Sequence, residues 1–136
     1  KIMKIKKCSF DYDSTLSVKS VQKFVKRLLK EGVEVWIVTS RPSKKFNSPN
    51  FNNDLYEVAK SLGIKKEHIH FTHYVDKWFF LKDRGFLFHL DDDTIELELL
   101  EEHTNVIPIC HYDWGIKYGG KKEWKNKCLK ILNLEI

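Results

Sequence analysis

Asp11 and Asp13 stand two residues apart in Asp11-Tyr12-Asp13-Ser14-Thr15-Leu16, directly after Lys4-Ile5-Lys6-Lys7-Cys8-Ser9-Phe10, a segment that reads as a strand. In an extended chain, alternate residues share a side, so both carboxylates would face one space. Burying the pair is unfavourable unless it does chemistry or holds a cation. Ser14 and Thr15 favour a turn, and the carboxyl end of a strand is where open α/β sheets bind ligands.

Two further strand ends carry polar groups. Val33–Val38 runs into Thr39-Ser40-Arg41-Pro42, and Phe86–Leu90 runs into Asp91-Asp92-Asp93. Set in parallel, these ends would bring Asp11, Asp13, Asp91, Asp92 and Asp93 to one edge of a sheet. Carboxylates so close repel one another, and some retain a proton unless a cation neutralises them. A hard divalent cation with oxygen ligands, Mg²⁺ above all, meets that need. It keeps positions free for water and for phosphate oxygens. The planar fork of Arg41 suits a phosphate or a carboxylate, and Ser40 beside it is within reach of the same substrate. Asp93 has a second reading, as the cap of the helix that follows it.

The elements that would hold these groups follow from periodicity. Val18, Val21, Val25, Leu28 and Leu29 fall at helical spacing between a capping Ser17 and a terminating Gly32, with lysines on the opposite face. Leu55, Val58, Ala59 and Leu62 mark a second helix closed by Gly63, after a polar loop at 43–53. His68–Thr72 is a third, weaker strand, and Asp76–Lys82 is a short helix. Thr94–His103 is a helix and Val106–Cys110 a fifth strand, placed at the sheet edge by Pro108. The basic tail, about 112–136, is a loop around Gly115, Gly119 and Gly120 and then a helix carrying Trp124, Cys128, Leu129 and Leu132. Alternating strands and helices imply right-handed crossovers and a parallel five-stranded sheet with helices on both faces, an α/β, Rossmann-like fold.

Composition narrows the classes. A chain of 136 residues suits a single domain, taken as 1–136. Its formal charge of +5 permits anionic partners without by itself marking a nucleic-acid binder. No apolar run approaches the roughly 20 residues that span a bilayer, so no membrane partner is expected. No apolar stretch follows the lysine-rich start, so no signal peptide is expected. Cys8, Cys110 and Cys128 are odd in number and widely spaced, which favours a reducing, cytoplasmic setting. His68, His70 and His73 do not make a metal set, because alternation puts His73 on the other strand face. Asp-Tyr-Asp lacks the glycine framing of a calcium loop.

Over about Lys4–Cys110 the chain resembles the haloacid dehalogenase superfamily. That family's first motif, Asp-x-Asp-x-Thr after a strand, is met by Asp11, Asp13 and Thr15. Its second, a strand ending in Thr or Ser, is met by Val33–Thr39. Its fourth, an acidic pair closing a strand, is met by Asp91 and Asp92. The third is a lysine ahead of the fourth strand. Lys77 is preferred for it over Lys65, Lys66 and Lys82.

The resemblance implies a Mg²⁺-dependent phosphomonoester hydrolase. Asp11 would be the nucleophile and form an aspartyl-phosphate, and Asp13 the general acid and base. Thr39 would bond a phosphoryl oxygen, and Lys77 would balance charge. Asp11, Asp13 (through its carbonyl), Asp91 and Asp92 would hold the metal, and Ser40 and Arg41 would contact substrate. Family members often insert a cap domain after the first motif or after the third strand. Leu16 and Ser17 leave no room at the first point, nor His73–Asp76 at the second, so the chain reads as capless. The loop at 43–53 is the one local segment long enough to act as a flap. The phosphorylated substrate is then expected to be a nucleotide, a nucleic-acid end or a phosphoprotein. A non-catalytic phosphate- or nucleic-acid-binding protein and a phosphotransferase are the alternatives. A receiver-type phospho-acceptor is disfavoured, since both first-motif aspartates share one strand end.

Overall fold

Five short strands form one parallel sheet in a computed structural model that describes residues 4–136; residues 1–3 of the expected 1–136 span lie outside it. These are β1 (Lys7–Phe10), β2 (Glu34–Thr39), β3 (Ile69–Phe71), β4 (Phe86–Leu90) and β5 (Ile107–Ile109). Their order is β3-β2-β1-β4-β5. The chain moves outward from β1 through β2 to β3, then crosses back to place β4 on the other side of β1. The direction of winding therefore reverses between β1 and β4. At such a reversal the flanking crossovers diverge and leave a crevice beyond the carboxyl ends of the strands.

The helices are α1 (Lys19–Lys30), α2 (Asn53–Leu62), α3 (Trp78–Leu81), α4 (Thr94–His103) and α5 (Gly120–Leu132). Alternation along the strands, broken in β4 by one extra residue between Phe86 and His89, sorts them onto two faces. Phe10, Val35, Ile37, Phe88 and Leu90 pack with Phe24 and Leu28 of α1, Leu55 of α2 and Trp124, Cys128 and Leu132 of α5. On the other face Trp36, Val38 and Phe86 meet Leu81 of α3 and Leu100 of α4. Phe10 and Phe88 meet edge to face, centroids 6.0 Å apart. Such a pair adds about 0.5–1.5 kcal/mol beyond its buried area. It locks together the two strands that end in Asp11 and Asp91.

The expected bounds of β4 and α4 are met in full, and β5 is an edge strand as Pro108 requires. Gly32 and Gly63 take the left-handed conformation (φ 81° and 88°) that ends α1 and α2. Ser17, expected as the cap of the first helix, is not its cap. The chain leaves β1 through an irregular helical turn, Tyr12–Leu16, in which Asp13 is extended and Ser14 left-handed (φ 57°). Ser17 donates its amide N–H to the carbonyl of Tyr12, which completes that turn, and the residue preceding α1 is Val18. The helix expected over 76–82 is confined to Trp78–Leu81. His68 sits in a 3₁₀ turn ahead of β3 rather than in the strand.

Neither insertion point carries a cap among the described residues: β1 reaches α1 through the Tyr12–Leu16 turn, and β3 reaches α3 through a short loop. Cys8, Cys110 and Cys128 are buried free thiols. Among the described residues no helix is long and apolar enough to cross a membrane.

Candidate active site

The register Phe10↔Leu90 sets the next residues, Asp11 and Asp91, side by side where β1 and β4 end. Backbone bonds extend the ladder one step past the strands, from Asp11 N–H to the Leu90 carbonyl (2.9 Å) and from Asp91 N–H to the Ile109 carbonyl (3.0 Å). Both carboxyl groups are buried, and each meets Lys77. Its Nζ donates to Asp11 Oδ1 at 2.8 Å and to Asp91 Oδ2 at 2.6 Å. Lys77 is itself buried, held at the start of α3 with its amide N–H on Glu96 Oε2 at 3.2 Å. Lys65, Lys66 and Lys82 are exposed, so of the four candidate lysines Lys77 is the one that reaches the carboxylates.

Asp91 has a second partner that the sequence motifs do not reveal. His89, fully enclosed within β4, places Nε2 2.7 Å from Asp91 Oδ2 and Nδ1 2.8 Å from Ser9 Oγ. Burial holds the imidazole below the usual histidine range, hence neutral. The chain of bonds is satisfied when the Ser9 hydroxyl donates to Nδ1 and Nε2–H donates to Asp91.

These contacts separate the two central carboxyl groups. Burial and the charge of Asp91 push Asp11 well above the usual carboxylate range, against the pull of Lys77. Asp91 is as deeply buried, yet Lys77 and His89 together hold it below that range. Burial lowers Lys77, but the charges of Asp91 and Asp11 outweigh it and keep the ammonium protonated. Of the two, Asp11 is thus the more readily protonated and Asp91 the more readily ionised.

Asp92 completes the group. Asp11, Asp91 and Asp92 each offer an oxygen, and the three atoms lie within 4.8 Å of one another. Thr15 donates its hydroxyl to Asp92 Oδ1 at 3.4 Å. An all-carboxylate set whose members repel one another fits a hard divalent cation, which would offset that repulsion. Asp93 turns away from this group. Its Oδ1 accepts the N–H of Ile95 and Glu96 and caps α4, its second expected role.

Asp13 lines the cleft, and Arg41 is bonded to it from beside the cleft. Arg41 pairs with both oxygens of Asp13 and, with the rest of its fork, with both oxygens of Asp54 in the first turn of α2. Its guanidinium lies over the rings of Tyr12 and Phe51, 5.0 and 5.5 Å from their centroids. Asn52 ties the 43–53 loop to the same arginine, accepting from Nη1 and donating to the carbonyls of Pro42 and Ser43. The carbonyl of Ser14, on the turn that carries Asp13, accepts from His111 Nε2 and Tyr112 Oη at 2.9 Å each.

Asp11, Asp13, Ser40, Lys77, Asp91 and Asp92 line one cleft of about 350 Å³. Thr39 and Arg41 do not. Thr39 is fully buried at the end of β2, and its Oγ1 accepts the amide N–H of Arg41 at 3.2 Å, an arrangement that shapes the Ser40–Arg41 loop. The three histidines are scattered: His68 stacks on Trp36, His70 on Phe80, and His73 faces Ser43.

No family model matches the sequence, and no curated protein is similar to it in sequence. Solved structures are similar in fold. A hypothetical protein from Xanthomonas campestris superposes with a TM-score of 0.57 at 14% identity, over 95% of this chain and 84% of that one. A Vibrio cholerae protein, provisionally described as a 3-deoxy-D-manno-octulosonate 8-phosphate phosphatase, superposes with a TM-score of 0.58 at 17% identity, over 97% and 88%. At such identities the likeness is one of fold. With its five-stranded parallel sheet, two helical layers and carboxylates at the β1–β4 reversal, the chain has a haloacid dehalogenase-like fold, with no inserted cap among the described residues.

Proposed function

We propose that the protein is a Mg²⁺-dependent phosphomonoester hydrolase that works through an aspartyl-phosphate on Asp11. The observation that carries this reading is the Lys77 ammonium, buried between Asp11 and Asp91 at the one place in the sheet where crossovers diverge. A purely structural ion pair gains little there, since desolvation consumes most of its attraction. Charge held ready for a phosphoryl group gives the arrangement a use, because charge fixed in advance around the reacting atoms commonly does most to lower an enzymatic barrier.

Asp11, Asp91 and Asp92 would hold the cation, with the carbonyl of Asp13 as a further oxygen donor. When bound, Mg²⁺ would supply positive charge that favours the ionised form of Asp11 and polarises the phosphoryl group. Asp13, once it leaves Arg41 and takes a proton from solvent, is the acid: Asp11 Oδ attacks phosphorus, the bond from phosphorus to the ester oxygen breaks, and the leaving alcohol takes that proton. Water attacks the aspartyl-phosphate, giving its proton to Asp13, and the bond from phosphorus to Asp11 breaks to release inorganic phosphate. Lys77 stays beside Asp11 through both steps and offsets charge on the phosphoryl oxygens. Ser40 contributes a hydroxyl at the cleft wall. Asp13 is doubly bonded to Arg41 in the resting chain, so those bonds open when it handles a proton. Asp54 keeps the guanidinium beside the cleft, where it would reach an incoming phosphate once its bonds to Asp13 open.

Hydrolysis of p-nitrophenyl phosphate with and without Mg²⁺ tests the reading, alongside Asp11→Asn. The expected result is metal-dependent turnover that falls at least about a thousandfold in Asp11→Asn. Acid-quenched wild-type protein should carry one phosphate that hydroxylamine removes. Turnover that persists in Asp11→Asn would reject the covalent route.

A further inference from the structure

The cleft carries a second kind of surface at its rim. Tyr74, Val75 and Ile95 line it next to the acidic residues and are 73, 52 and 68% exposed. A phosphate group has no use for an apolar wall. Such a wall serves whatever the phosphate is attached to.

Tyr74 is held in position without being packed. His73 and Tyr74 are consecutive residues in the left-handed region (φ 53° and 66°), which non-glycine residues seldom adopt unless their surroundings impose it. Backbone bonds impose it here. The N–H groups of Thr72, His73 and Tyr74 donate to the carbonyls of Thr39, Arg41 and Ser40, at 2.8, 3.3 and 2.8 Å. The loop after β3 is thus bonded to the loop after β2, and Tyr74, with most of its surface bare, lines the cleft together with Ser40.

The rest of the cleft restricts what that ring could meet. Asp13, Asp76, Asp92, Asp93 and Glu96 also line it. A second anionic group close to the reacting phosphate, on a bisphosphate or an acidic phosphopeptide, would face these carboxyl groups and be repelled. A neutral sugar bearing a flat, uncharged ring meets no such repulsion and gains a stacking partner. We propose that Tyr74 stacks on a nucleobase, so that the phosphomonoester taken into the cleft is one carried by a nucleoside. This rests on the phosphomonoesterase reading and adds the identity of the leaving group. A free mononucleotide and the phosphorylated end of an oligonucleotide present the same base and sugar, but the oligonucleotide adds a phosphodiester charge, so the mononucleotide is the source this acidic wall favours.

The test compares nucleoside 3′- and 5′-monophosphates, 3′- and 5′-phosphorylated oligothymidylates, ribose 5-phosphate and a phosphotyrosine peptide. The substrates are assayed on the wild type, Tyr74→Ala and Tyr74→Phe. Stacking on an aromatic ring strengthens binding roughly five- to a hundredfold. Nucleoside phosphates should therefore show kcat/KM about tenfold or more above ribose 5-phosphate. Tyr74→Ala should bring that ratio to about one through KM, and Tyr74→Phe should retain it. Whether the mononucleotide or the oligonucleotide leads identifies the source. A ratio near one in the wild type, a ratio that survives Tyr74→Ala, or faster turnover of the phosphopeptide overturns the proposal.

Calorimetric titration with a nucleoside 5′-phosphonate and with methylphosphonate separates this from the hydrolase reading. Tyr74-dependent binding of the nucleoside compound, with no ester hydrolysed, would sink the hydrolase and uphold the base-stacking role. Hydrolysis indifferent to the base would do the reverse.

Discussion

Arg41 grips Asp13 through two parallel bonds, Nε to Oδ2 at 2.9 Å and Nη2 to Oδ1 at 2.7 Å, while Nη1 and Nη2 hold Asp54 at 2.8 and 2.9 Å. One guanidinium thus joins the turn after β1 to the first turn of α2. The carboxylate side chains are 56 and 53% exposed, so water screens both pairs. Arg41→Lys keeps the charge but loses the fork. It should cost no more than about 1 kcal/mol in urea unfolding. Turnover should suffer more, about ten- to a hundredfold in kcat, because Asp13 would no longer be held at a fixed place over the cleft. Equal and small losses in both measurements would remove Arg41 from the site.

Lys77 lies in the opposite regime. It and its two partners are buried, and taking away one member of such a group leaves charge without a counter-charge. Lys77→Met should lower stability by about 3–5 kcal/mol in metal-free buffer. Added Mg²⁺ should raise Tm more in this variant than in the wild type, since it would supply the missing positive charge at Asp11 and Asp91. An equal Tm response in the two proteins would place the cation elsewhere.

His89 is predicted to tune the same site from beneath. Its Nε2–H fixes the orientation of Asp91 Oδ2, and Ser9 fixes the tautomer. Losing a hydrogen-bond partner of a ligating group commonly weakens metal binding about 10–100-fold. His89→Phe fills most of the volume but cannot donate, so Mn²⁺ binding followed by electron paramagnetic resonance should weaken by that factor. Ser9→Ala should have a smaller effect of the same sign. Unchanged Mn²⁺ affinity in His89→Phe would reduce His89 to a packing residue.

What the chain reveals before folding divides along physical lines. Asp11 and Asp91 were legible because each follows an apolar strand, and parallel pairing leaves such ends nowhere else to go. Lys77 was legible by its place before the fourth strand. His89 was not: in a strand buried on both faces, alternation does not say which buried neighbour a polar side chain will meet. Asp54 was hidden for another reason. An acid in the first turn of a helix has a sufficient local explanation in the dipole, and its pairing with Arg41 depends on how the intervening loop returns. Ser17 misled because Ser14, Thr15 and Ser17 all carry cap-forming side chains, and the Tyr12–Leu16 turn consumes the signal before α1 begins. Thr39 ends its strand as expected, but its buried hydroxyl is engaged by the amide N–H of Arg41 in the loop that follows.

Glu96 gives a pH dependence of unusual sign. It lines the cleft on the first turn of α4, and burial pushes its carboxyl up to about 7, with Lys77 opposing the rise. The ordinary value is 4.5, so between about pH 4.5 and 7 the folded chain holds a proton that the unfolded chain has released. Stability then falls as pH rises through that window, the reverse of a salt-bridged carboxylate. Asp11, also raised, contributes in the same direction, so a scan of the wild type alone would not isolate Glu96. Glu96→Gln keeps the shape and removes this titration. Its Tm relative to the wild type should climb from pH 4.5 to 7 and be level above that. Glu96 is only half-buried, so screening keeps the amplitude modest. A difference that stays constant across the window would mean that Glu96 titrates alike in the folded and unfolded chains, and that the cleft wall around it is wetter than its burial implies.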